Sequence, residues 1–390
     1  ALTEVHSMLQ RMNELAVQSA NGTNSSDDRQ AIQDEVDQLT TEIDRVAETT
    51  KFNEIYLLKG DNSNTKNVYM KGHDAGLKGT LTDGAKSATF TMDALQAGDK
   101  YTIAGKEYTI GSATTEVTAL IDKANTDATA DTANKTVDVN GKTYTITYNA
   151  AGNTIADADG TAITLDNLKK AVTGGSKVTY GNTSLTAMTD VDTDGVDDDD
   201  SSIITKDVAE TKIKAELLTA NNIGTVDQAA TVEDANTANG KTSYTINKGY
   251  ATVADTLSFN LHVGADADMT NKITVDIDTM NSANLGIKGI NVKDASGTEA
   301  TYAIDAIADA VAKVSSQRSA LGAVQNRLEH TIDNLDNISE NTSSAESRIR
   351  DTDMAKEMVN YSKNNILAQA GQSMLAQANQ SNQGVLSLLQ

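Results

Sequence analysis

Residues 303–335 read AIDAIADAVAKVSSQRSALGAVQNRLEHTIDNL. Apolar side chains recur at Ile304, Ile307, Val311, Val314, Leu321, Leu328, Ile332 and Leu335, and Arg318 and Gln325 hold the same phase. Steps of three and four place all of these positions on one seam of a helix. The two polar members fix register at a cost in stability. The spacing predicts a helix from about Ala303 to a loop near Asn341 and Thr342. At 1.5 Å per residue it is about 55 Å long, more than a small globular domain needs. Ser343 and Glu346 stand at capping-box spacing. They predict a further helix through Met354, Met358, Ile366, Ala370, Met374 and Ala378. That last helix, ending in Val385-Leu386-Ser387-Leu388-Leu389-Gln390, has little seam of its own. It is expected to gain its partner on assembly.

The opposite end carries the same period. Leu2, Val5, Leu9, Met12 and Ala16 form one seam, which stops at Ser19-Ala20-Asn21-Gly22. Asn-Gly there predicts a left-handed helix end. Ser25 and Asp28 make a capping box before a second seam of Ile32, Val36, Leu39, Ile43 and Val46. Two such helices with a short turn predict an antiparallel pair.

The chain has 390 residues, enough for two or three domains. Aromatics are only 4%, so cores are built from Leu, Ile, Val, Met and Ala. Proline is absent, which suits long uninterrupted elements. Cysteine is absent too, which removes disulfide and thiol chemistry. A net charge of −23 argues against nucleic acid and against an anionic membrane surface as partners. No apolar run approaches the ~20 residues that span a bilayer. Ala1-Leu2-Thr3-Glu4 shows no cleaved signal peptide. It lies already in helical phase, which predicts that upstream residues are missing.

Between about 60 and 255 the composition shifts to Thr, Asp, Ala, Gly and Asn, and period-2 runs replace the helical step. One phrase recurs three times: Gly105-Lys106-Glu107-Tyr108-Thr109-Ile110, Gly141-Lys142-Thr143-Tyr144-Thr145-Ile146, and Gly240-Lys241-Thr242-Ser243-Tyr244-Thr245-Ile246. Asn140-Gly141 between two alternating runs predicts a tight hairpin. Another hairpin is predicted from Ser258–Val263 and Ile273–Ile277. The fold class is therefore α+β: a long antiparallel helical-bundle rod from both chain ends, with a β-rich inserted outer region. The expected divisions are 1–60, the N-terminal half of the rod; 61–254, the outer domain or domains; 255–345, the rod hairpin and C-terminal rod helix; and 346–390, a terminal helix.

Several blocks resemble a known family. Leu9-Gln10-Arg11-Met12-Asn13-Glu14-Leu15-Ala16-Val17-Gln18-Ser19-Ala20-Asn21-Gly22 is similar to the first-helix signature of bacterial flagellin. Glu42-Ile43-Asp44-Arg45-Val46 with Thr50-Lys51-Phe52-Asn53 resembles its second. Arg318–Glu329, Ala345–Ala355 and Val385–Leu389 resemble three more, in the family's order. The resemblance covers about half the chain, both ends and not the middle. It implies a filament subunit that stacks helically for motility, with terminal helices lining an inner tube and the middle facing outward. It implies export through the flagellar apparatus to the extracellular flagellum. The implied partners are other flagellin subunits, an export chaperone, a filament cap and vertebrate Toll-like receptor 5. No cofactor is implied. The family's first N-terminal helix is expected to be missing, which would impair assembly. Receptor contact carries over to Gln10, Arg11, Leu15 and Glu35. Asn13 stands where many relatives carry Arg.

Two alternatives share parts of this pattern. A flagellar hook-associated junction protein has similar terminal helices, but the density of signatures favours flagellin. An adhesin would use the β middle, yet the chain has three Phe and no Trp to offer sugars. Asp190, Asp192, Asp194 and Asp198, with Gly195, sit at the spacing of an oxygen-ligand calcium loop, but Ser201 stands where a bidentate Glu is expected. A solvated acidic loop is the favoured reading. His6, His73, His262 and His330 are scattered and fit no zinc-peptidase spacing. No phosphate loop, nucleophile or base constellation is present, so no enzyme is expected.

Overall fold

The computed structural model describes residues 1–190, 193–264 and 271–388. Among these residues there are seven helices: α1 (Leu2–Ala20), α2 (Ser26–Thr49), α3 (Thr114–Ala130), α4 (Leu165–Lys170), α5 (Lys206–Asn221), α6 (Ser282–Leu285) and α7 (Thr298–Leu388). The chain divides into two compact units, 1–258 with 276–318 and 259–275 with 319–390.

In the first unit α1 and α2 pack through the expected seams. Val5, Leu9, Met12, Leu15 and Ala16 are buried, as are Ile32, Val36 and Ile43. The capping box forms: Asp28 N–H donates to Ser25 Oγ at 3.2 Å and Ser25 N–H to Asp28 Oδ2 at 3.2 Å. The left-handed end predicted for α1 does not form. Asn21 is extended at φ −74° and ψ 124°. The last carbonyls of α1 are covered by side chains instead, so no residue has to turn left-handed. Asn24 Nδ2 donates to the Gln18 carbonyl, and Arg29 donates to those of Ser19 and Asn21 at 3.2 and 3.3 Å.

Arg29 is only 4% exposed. Its Nη1 also donates to the carbonyls of Asp294 and Ala295, at 3.1 and 2.5 Å. Gln33 donates to Ile290 O at 2.9 Å and accepts from Val292 N–H at 2.7 Å. Together these side chains bind the segment before α7 to the two N-terminal helices. Asp294 Oδ2 then accepts from Thr298 N–H at 3.0 Å, where α7 begins.

The middle is less purely β than the sequence suggested, because α3 and α5 stand in it. Both are amphipathic: Val117, Ile121, Ala124 and Ala128 are buried on α3, and Ala209, Ile213, Leu217 and Ala220 on α5. Alanine supplies half of each seam, and this hid the period among the threonines. Each helix covers one core. Strands Thr231–Val232, Lys241–Asn247, Ser87–Asp93 and Thr80–Asp83 form one sheet in that order. With α5 this sheet encloses Phe90, Tyr244, Ile246, Ile213 and Leu217. An antiparallel six-stranded sheet runs Ala162–Ile163, Thr154–Asp157, Lys142–Thr147, Lys135–Val139, Lys177–Tyr180, Thr183–Thr186. With α3 and α4 it encloses Val117, Ile121, Val137, Ile146, Leu168 and Val178.

The recurring phrase has one structural meaning. Each copy closes a two-residue hairpin: Ile103 pairs Lys106, Val139 pairs Lys142, and Ala238 pairs Lys241. The turn residues Ala104-Gly105, Asn140-Gly141 and Asn239-Gly240 all have positive φ, between 50° and 79°. Positive φ at both positions is what this hairpin twist requires. The middle returns through an antiparallel pair, Asp61–Tyr69 with Tyr250–Asp255. The expected later hairpin also forms, between Leu257–His262 and Lys272–Ile277.

The loop predicted near Asn341 is absent. α7 runs 91 residues without a break, so the boundary drawn at 345/346 falls inside it. The capping-type residues there turn their polar groups back onto the helix. Thr331 Oγ1 donates to Arg327 O, Asn337 Nδ2 to Asp333 O and Thr342 Oγ1 to Ile338 O, at 2.7, 2.8 and 2.8 Å. With no proline in the chain, nothing forces a stop.

Arg29→Ala takes the guanidinium donor from four carbonyls, of which those of Asn21 and Asp294 keep a backbone donor from Asn24 and Gly297. It is expected to cost about 3 kcal/mol or more, read as a lower midpoint in chemical denaturation.

Candidate functional site

Two helical surfaces carry features that the fold itself does not use. The first is the distal part of α7. From Ile332 onward its described large apolar side chains, half-buried Leu335 excepted, are exposed, between 47% at Ile338 and 69% at Leu386. Met358-Val359, Ile366-Leu367 and Met374-Leu375 recur as adjacent pairs every eight residues. Eight residues advance an α-helix by two turns and about 80°. The apolar stripe therefore winds around the helix rather than keeping to one side. A surface of this size in a monomer marks a contact site. The sequence named Met354, Met358, Ile366 and Met374 on this helix, but the winding stripe is visible only from the pairs.

The second surface is the outer face of α1 and α2. Arg11 Nε donates to Glu35 Oε1 at 2.8 Å across the pair, and Nη1 to Glu14 Oε2 at 3.2 Å. The hydrogen bonds to Glu35 and then Glu14 hold the guanidinium's pKa above its ordinary value. Gln10 is exposed on the same helix. Leu15 is 2% exposed, packed in the core below. The structure thus brings Arg11 and Glu35 together and leaves Leu15 out of reach of any partner. Leu15 can act on this face only by holding the helices in register.

The acidic loop is organised by its own backbone. Asp190 Oδ2 accepts from Gly195 N–H at 3.0 Å, and Gly195 has φ +78°. Asp194 Oδ1 accepts from Val196 N–H at 2.8 Å, and Asp198 N–H donates to Thr189 O at 2.7 Å. Asp197 takes three backbone donors, from Thr189, Asp199 and Asp200. Asp192 lies outside the described residues. Among the described residues no three His, Cys, Asp or Glu side chains are grouped to hold a metal ion. His73 meets Asp309 at 3.5 Å, a pair between the start of the middle region and α7.

The chain matches two family descriptions. The bacterial flagellin N-terminal helical region covers residues 1–63, and the bacterial flagellin C-terminal helical region covers 304–389. A flagellin of Clostridium tyrobutyricum is 35% identical, over 98% of this chain and 79% of its own length. A flagellin of Salmonella rubislaw is 34% identical, over 100% of this chain and 84% of its own. Among solved structures, FliC from Burkholderia pseudomallei is 17% identical, with a TM-score of 0.31 over 84% of this chain and 95% of that one. The match over 1–63 overturns the expectation of a missing N-terminal end. That expectation rested on first residues already in helical phase, and a helix starting at Leu2 shows the same phase.

The two kinds of residue on the α1–α2 face are separable. Leu15→Ala is expected to lower stability by about 2–5 kcal/mol, the range for a buried leucine. Arg11→Ala should leave the denaturation midpoint essentially unchanged. Equal losses from both would refute the assignment of Leu15 to packing and Arg11 to the surface.

Proposed function

The chain belongs to the bacterial flagellin family, whose members are structural proteins and not enzymes, and on that premise we propose how this filament subunit assembles and what it meets. Subunits polymerise helically into the extracellular filament that moves the cell, through α7. The observation that carries this reading is the exposed apolar stripe from Ile332 to Leu386. Burying such side chains yields about 1.5–3 kcal/mol each. A stripe that winds around its helix is suited to several neighbours at once, as a subunit in a tube has. Contacts of this heterologous kind need not close, and so build filaments. The export chaperone and the filament cap are further proposed partners, on the strength of the family resemblance.

The test is a triple substitution, Met358→Ser with Ile366→Ser and Leu375→Ser. Purified wild-type chain is expected to form filaments visible by electron microscopy, and the triple variant is not. Filaments of normal length from the variant would sink the proposal.

A second reading is that the α1–α2 face is a ligand of Toll-like receptor 5. The ordered Arg11–Glu35 pair beside Gln10 supports it, because a guanidinium already held in place loses little freedom on binding. Arg11→Ala is expected to weaken receptor binding roughly tenfold or more in a titration. Unchanged affinity rejects the reading.

A further inference from the structure

A recess in the first unit is bounded by the chain after the strand Asp61–Tyr69, the end of α6 and the first turns of α7. Its volume is about 390 Å³, within the range of small-molecule sites. Met70, Ile223 and Leu285 give it an apolar wall, and His73, Asp309 and Lys313 line it with titratable groups. The wall is closely fitted. Gly286 ends α6 at φ +78°, and a Cβ there would meet Met70 Sδ at 2.9 Å.

Lys313 stands apart from the other lysines. Its Nζ donates to Asn284 O at 2.7 Å, and among the described residues no carboxylate pairs with it. Lys71, on the same recess, is held by Asp309 at 2.9 Å. Burial keeps the Lys313 ammonium below its ordinary pKa, against the charges of Asp309 and Asp278, which act to raise it. Lys71, Lys100, Lys123, Lys135 and Lys142 are shifted the other way, each by a carboxylate partner. A lysine freed of its proton in an apolar recess is a nucleophile. Asp309 stands one turn before Lys313 on α7, on the same face. Its Oδ2 lies 3.5 Å from His73 Nε2 and, though buried, accepts no hydrogen bond among the described residues.

We propose that Lys313 captures carbonyl compounds: the recess takes a small aldehyde or ketone with an apolar body and binds it as a Schiff base. The Nζ lone pair attacks the carbonyl carbon. Both protons of the amine leave with the carbonyl oxygen as water, and a C=N bond replaces C=O. Asp309 and His73 are placed to relay protons from nitrogen to oxygen. The Asn284 carbonyl fixes the amine at the end of α6. The step needs no oxidant or reductant. The recess belongs to the first unit alone, so this chemistry does not depend on assembly.

The test treats the free chain at neutral pH with benzaldehyde and sodium cyanoborohydride, which adds hydride to the imine carbon and leaves a stable benzylamine. Peptide mapping by mass spectrometry reads the rate at each lysine. Lys51 and Lys170, both exposed, serve as references. Lys313 is expected to label at least about tenfold faster than either, the effect of one pKa unit. Its rate saturates with benzaldehyde concentration, as a bound state requires, while the references stay linear. In denaturing guanidinium chloride the three rates converge. A Lys313 that labels no faster than Lys51, or whose rate stays linear, overturns the proposal. A lead that survives in denaturant belongs to the local sequence and overturns it as well.

Discussion

The arrangement of the first unit depends on the buried guanidinium of Arg29. It is an unusual way to hold helices together. A buried cation is costly unless every donor finds an acceptor. Arg29 pairs four of its five N–H donors with backbone carbonyls from two separate stretches of chain, Ser19 and Asn21 on one side and Asp294 and Ala295 on the other. The stretches lie more than 260 residues apart in sequence. Gln33 extends the same strap one turn along α2, using both ends of its amide on Ile290 and Val292. The start of α7 is therefore set by side chains of α2, and the inserted middle can vary between these fixed points.

The helical ends were the most legible part of the sequence, because leucine, isoleucine and valine on a 3,4 step have few other readings. Hairpins were legible where Asn-Gly marked them. What the sequence hid had two causes. α3 and α5 bury alanine as much as larger residues, and alanine carries little hydrophobic contrast against threonine. The capping-box spacing of Ser343 and Glu346 predicts a break that α7 does not have. Capping residues report a local preference, and a hydroxyl that can bond to the carbonyl four residues back satisfies it inside a helix as well. Thr342 does so.

The candidate surfaces were only partly legible for a related reason. Exposure is a property of the fold. Leu15 and Arg11 stand four apart and share a face by spacing, yet one lies in the core and the other on the surface. Phe52 belongs to a family signature, and nothing in its sequence neighbours indicates that its ring stands three-quarters exposed. The positive φ of Glu54 was equally hidden, since glutamate is not a residue that announces a left-handed turn.

Charge and apolar surface together explain how such a chain can be both soluble and self-associating. A net charge of −23 keeps free copies apart at long range. This repulsion is screened within about 8–10 Å at physiological salt. Apolar contact acts only at touching distance, but it grows with the area buried. The stripe on α7 is long and is divided into pairs eight residues apart, so a single encounter covers little of it and a surrounded position covers all of it. Association is then weak for two copies and strong for a copy entering an existing array. This asymmetry follows from geometry rather than from any one strong contact, and it suits a subunit that assembles with others of its kind.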